Sequence, residues 1–203
     1  MSQQLNLLSM FQTVSGALSE NQASLNKADS HNGDHGDNMV QIFNLVTQAV
    51  GDKSKASPAD QLLNAGELLM KQKSGSAQVY SKGLLEAADT FQDKSITTDT
   101  VMTLVQTLLG GGNAAQTSQD SPIAGMLGGL LGGDAEGDAG LDAGDLLSAG
   151  LAFLSAKNRG DSTTEALIEA VISASPLGEV SHRAQSSQVV VSTILENLGS
   201  FVN

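Results

Sequence analysis

Apolar residues recur at helical spacing along most of this chain, and β-branched residues rarely alternate with polar ones as a half-buried strand requires. The stripes are made of Leu, Val, Ile, Ala and Met, for only 3% of the residues are aromatic and tryptophan is absent. A core of that palette suits packed helices better than a sheet sandwich, and with only three prolines little interrupts them. The expectation is an all-α fold in a single domain over residues 1–203, a length sufficient for one sizeable core.

The stripes divide into segments. Residues 2–20 carry Leu5, Leu8, Phe11 and Leu18; residues 38–50 carry Met39, Ile42, Phe43, Val46 and Val50. Ser57-Pro58 has the form of an N-cap followed by a proline at the first helical position, opening a helix to about residue 72. Ser74-Gly75-Ser76 reads as a break, with the next helix over 79–91. Thr97 or Thr98 caps one that runs to Leu109. Further stripes cover 146–154, 161–172 and 188–201, giving seven or eight helices, with a turn at Ser175-Pro176-Leu177-Gly178. Between the fifth and sixth, residues 110–144 hold half of the 22 glycines, several acids and no base, and read as a loop-like acidic insertion.

Charge narrows the function. A net charge of −12 argues against nucleic acid and against anionic membrane surfaces, both of which are held by Lys/Arg clusters. With no cysteine, thiolate metal sites, disulfides and cysteine nucleophiles are excluded. No basic leader with an apolar core opens the chain and no apolar run is long enough to span a bilayer, so a cytoplasmic location is expected.

One stretch stands apart. Residues 25–39, LNKADSHNGDHGDNM, crowd Asp29, His31, Asn32, Asp34, His35 and Asp37 directly before a helix start. A helix N-terminus offers free N–H groups and positive dipole to phosphate, and the loop's carboxylates tolerate a phosphate only with a divalent cation between them. Oxygen ligands of this kind are those Mg²⁺ prefers when it shares its shell with nucleotide phosphates. The same composition also suits a solvated connection with an N-cap at Asp37 or Asn38. An EF-hand loop is excluded by spacing, and His31 with His35 on a loop is a weak zinc pattern. A lone histidine such as His182, in a polar turn, reads as solvated.

The run L-N-x₅-N-G-D-H-G-D-N-M, from Leu25-Asn26 through Gly33, Asp34, His35, Gly36, Asn38 and Met39, resembles the signature of the nucleotide-binding L subunit or domain of dihydroxyacetone kinases, shared by the related fatty-acid kinases. At the family's expected distance, Gly75-Ser76-Ala77 and Tyr80 are similar to its G-x-S-G-P-L-Y-G phosphate-binding turn, with Ala77 and Gln78 in place of Gly and Pro. Arg159-Gly160-Asp161-Ser162-Thr163 resembles its G-D-K-T-M turn and Leu177-Gly178-Glu179-Val180-Ser181 its L-G-E-R-S. The family's following G-H-x-D-P-G-A loop has no counterpart beyond His182.

The resemblance implies a barrel of about eight antiparallel helices that binds Mg²⁺ and ATP or ADP. It assigns the nucleotide to His35, Gly36, Asn38, Met39, Gly75, Ser76, Ala77, Gly160 and Thr163. It assigns metal to the positions of three family aspartates: Asp34 matches the third, Asn32 stands at the second, and Asp29 is the nearest carboxylate to the first. Fewer charges imply one weakly held ion rather than two. The family's acceptor is carried by a separate substrate-binding kinase subunit or another acceptor-carrying protein, so the implied activity is that of a kinase's nucleotide subunit; a homodimer is compatible with it. The alternative is a degraded helical module that keeps a nucleotide, metal or lipid-like ligand for sensing or assembly.

Overall fold

The computed structural model describes residues 5–98, 100–109 and 180–201, together with positions 168, 172, 175, 177 and 178. The described residues are all-helical, with no β-strand among them. Six α-helices are described: α1 (Leu7–Ala28), α2 (His35–Asp52), α3 (Pro58–Met70), α4 (Gly75–Thr90), α5 (Val101–Leu108) and α6 (Ser181–Glu196), the last followed by a 3-10 turn at Leu198–Ser200. The helices expected over 146–154 and 161–172 and the insertion at 110–144 lie outside the described residues.

Each of the first four helices packs on the next, and short links make these neighbours antiparallel. The C-terminal α6 returns to lie along α1 and touches α2. The ends are tied together by backbone bonds: Leu5 N–H donates to the Ile96 carbonyl at 2.8 Å and Asn6 N–H to that of Phe201 at 2.7 Å. Asn6 also caps α1, its Oδ1 accepting from Ser9 N–H at 3.0 Å.

The aromatics among the described residues are buried. Phe11 of α1, Phe43 of α2 and Tyr80 of α4 are fully buried, with Phe11 and Phe43 ring centroids 6.3 Å apart and Phe43 edge-on to Tyr80 at 5.1 Å. Phe91 and Phe201 are buried too, with Met10, Leu18, Met39, Leu62, Leu69 and Leu84. Glycine sets the closest approach of α3 to α4. A Cβ on Gly66 would lie 2.8 Å from the Leu85 side chain, and beside it Ser81 Oγ donates to the Gly66 carbonyl at 2.8 Å.

Helix limits depart from the periodicity in three places that matter for the site. α1 does not stop near residue 20 but continues to Ala28, its polar residues turned outward and Leu25 buried one heptad after Leu18. Ser74 does not break the chain; it caps α4, accepting from Ala77 N–H at 3.1 Å, so Gly75, Ser76 and Ala77 form the first turn of a helix. α6 starts at Ser181, ahead of the stripe expected from 188, because its buried face includes Ser186 and Ser187.

Candidate functional site

The polar loop is reduced by the extension of α1 to a tight connection, residues 29–34, between two antiparallel helices. Gly33, with φ at 71°, supplies the left-handed residue that turns the chain. Asp29 ends α1 and is buried at 8% exposure, its Oδ1 accepting from His31 N–H at 3.0 Å. That bond holds its carboxyl below the usual carboxylate value, with His182 adding to the effect and burial opposing it. Asp34 stands at the N-cap position of α2 but makes no capping bond; its Oδ1 accepts from Asn38 Nδ2 at 2.7 Å.

The next turn alternates between two jobs. Gly36 lies against α1 so closely that a Cβ there would sit 2.2 Å from the Gln22 carbonyl oxygen. Asp37 points the same way: its carboxylate accepts from Gln22 Nε2 and from Asn26 Nδ2 at 3.1 Å, while its own N–H donates to Asn26 Oδ1 at 3.1 Å. His35 points toward α6. Ser186 Oγ donates its single proton to the Arg183 carbonyl at 2.9 Å, and so accepts from His35 Nε2–H, also at 2.9 Å. The His35 ring meets that of His182 edge-on, centroids 4.7 Å apart, and burial with His182 pushes its pKa down to about 4. His35 is therefore neutral at pH 7.

These elements enclose a pocket of about 470 Å³, in the range of small-molecule sites. One wall is the connection and α2: Asp29, His31, Asn32, Asp34, His35 and Asn38. The other is the first turn of α4, from Ser74 to Ser76, with Val180, His182 and Arg183 from the start of α6. The first wall carries carboxylate and amide oxygens suited to a cation. The second carries a helix N-terminus and a guanidinium suited to an anion. His182 Nδ1 stands 3.8 Å from Asp29 Oδ1, between the two walls.

Most residues singled out from the sequence are brought together here: Asp29, Asn32, Asp34, His35, Asn38, Gly75 and Ser76 all line the pocket. Gly36, Met39 and Ala77 do not; Gly36 packs on α1, and Met39 and Ala77 are fully buried in the core. Gly160 and Thr163 lie outside the described residues. Five further residues line the pocket, His31, Ser74, Val180, His182 and Arg183, and two of them change its chemistry. His182 is not a solvated turn residue but lies in the first turn of α6, against His35 and Asp29. Arg183 also lines the pocket, and its place next to His182 at the position of the family's nucleotide loop is the sequence signal for it. Among the described residues no three His, Cys, Asp or Glu side chains are gathered closely enough to hold a metal ion by themselves. Nor among them is any helix long and apolar enough to cross a membrane.

The site thus defines the class: a helical protein with a two-sided polar pocket between the first turns of three helices. No family model matches the chain, and no curated protein or solved structure is significantly similar to it.

Proposed function

We propose that this chain is the Mg-ATP- or Mg-ADP-binding subunit of a dihydroxyacetone-kinase-like phosphotransferase, working in the cytoplasm with a separate protein that carries the phosphoryl acceptor. The observation that carries the reading is the meeting of the connection at 29–34 with the first turn of α4 around one pocket, acids on one side and anion-accepting groups on the other. A solvated connection has no reason to bury Asp29, or to leave Asp34 at an N-cap position without capping.

The donor set fits a magnesium ion that arrives with its nucleotide. Asp29, Asn32 and Asp34 offer two carboxylates and a carboxamide, short of a protein cage but matching the way Mg²⁺ is usually held, by one or two carboxylates, waters and phosphate oxygens. When bound there, the ion would neutralise charge on the transferring phosphoryl group. The chain's own part is to hold the phosphates at the α4 N-terminus and to keep the neutral His35 ring in place through Ser186. Asn32, standing where the resemblance expects aspartate, with no ready three-ligand group among the described residues, favours a second reading: a module that retains the ligand without transferring phosphate.

Calorimetry with ATP and ADP, with and without Mg²⁺, tests both. The first reading expects metal-dependent binding abolished by Asp34→Ala and tightened by Asn32→Asp. Absence of binding in every condition would sink it, whereas tight binding that Asn32→Asp leaves unchanged supports the second.

A further inference from the structure

Among the described residues the pocket's anion-accepting wall contains one full cation, Arg183, and its position is set by a glycine. Arg183, in the first turn of α6, lays its guanidinium over Gly75 at the first turn of α4; a Cβ built on Gly75 would stand 2.7 Å from Nη2 and 3.4 Å from Cζ. Gly75 has no left-handed φ, so the backbone does not call for glycine there. What the absent side chain provides is room for the guanidinium.

Among the described residues the Arg183 side chain makes no hydrogen bond or ion pair, although Asp29 and Asp34 line the same pocket. Next to it, Ser76 lines the pocket at 5% exposure, and its buried hydroxyl likewise has no partner among the described residues. Buried hydroxyls are normally satisfied, and a guanidinium with five donors is normally paired where its surroundings allow. Two such groups on one wall define a place for an oxygen-rich anion.

We infer that Arg183, seated on Gly75, is the residue that grips the phosphate end of the ligand, and that Gly75 is a positioning residue which acts through it. This rests on the nucleotide reading above for the identity of the anion. The planar fork suits two phosphate oxygens at once, which a lysine ammonium cannot reproduce. Because the atoms crowded by a new Cβ are the far end of a flexible side chain, Gly75→Ala displaces the guanidinium without disturbing the helix.

The test is a double-mutant cycle read by calorimetry on the full chain, with Mg-ATP and with inorganic tripolyphosphate as probes, and thermal denaturation alongside. Arg183→Ala is expected to weaken binding roughly tenfold or more, with Arg183→Lys in between. Gly75→Ala alone weakens binding with an unchanged or slightly raised melting temperature, and adds nothing in the Arg183→Ala background. Independent losses, or wild-type affinity in Arg183→Ala, overturn the inference. If Mg-ATP is not bound but tripolyphosphate is, in an Arg183-dependent way, the nucleotide reading falls and the arginine assignment stands. If neither probe binds, both fall.

Discussion

Within the first turn of α2, neighbouring residues serve opposite partners. Asp34, His35 and Asn38 line the pocket, while Gly36, Asp37 and Met39 fasten the helix to its surroundings. A helix places successive residues 100° apart, so a compact motif at its start cannot present every side chain to one ligand. The resemblance grouped His35, Gly36, Asn38 and Met39 as one nucleotide contact; in the folded chain Gly36 and Met39 serve packing. A conspicuous motif therefore mixes chemistry with the steric conditions that let the chemistry sit beside α1 and α6.

Substitutions on the two faces should separate those roles. The largest effect on folding is expected from Gly36→Ala, whose new Cβ meets the Gln22 backbone rather than a yielding side chain. Overpacking of this kind should cost about 3 kcal/mol, seen as a lower midpoint in chemical denaturation. An unfolding curve like that of the wild type would mean that α1 and α2 are not so closely apposed. Next comes the pocket-facing His35. Its pKa is about 4 in the folded chain against an ordinary 6.5, with desolvation the main cause. Between those values the unfolded chain binds a proton that the folded chain resists, so stability is complete above about pH 6.5 and falls as pH drops toward 4. The loss should be on the order of 2 kcal/mol, and His35→Gln should flatten that part of a stability-versus-pH profile.

Asp37→Ala removes the bonds to Gln22 and Asn26 and should lower the denaturation midpoint by less than Gly36→Ala, with ligand affinity retained. A large loss of Mg-ATP affinity in that variant would blur the distinction between the two faces. The smallest effect on folding belongs to Asp34→Ala, which loses one partly buried bond to Asn38 and should change stability by less than about 1 kcal/mol while abolishing metal-dependent nucleotide binding. A heat-stable Asp34→Ala protein that still binds Mg-ATP would remove the carboxylate from the site.

Much of the helical framework was legible locally. The stripe from Met39 to Val50 is buried as its spacing requires, and Ser57-Pro58 starts α3 as its cap chemistry dictates. The helix limits that differ from the periodicity are those where polar residues cap a helix or belong to its buried face. Beyond residue 20, α1 buries only Leu25; Ser74 caps a helix where its glycine and serine neighbours suggest a break; and α6 buries serines in its early turns. Ser186 is satisfied twice, donating within its own helix to the Arg183 carbonyl and accepting from His35 across the interface, and only the second bond needs the tertiary structure.

The amino-acid sequence by itself determined that the described residues are helical, which aliphatic residues among them fill the core, and that an acidic, amide-rich connection precedes the second helix. These follow from periodicity, caps and composition, which act over a few residues. Only the tertiary structure decided which faces of that connection meet the pocket, that His182 and Arg183 join it from the far end of the chain, and that Gly75 leaves room for a guanidinium. Those outcomes depend on contacts between helices remote in sequence, and no local propensity encodes the distance between a glycine on α4 and an arginine on α6.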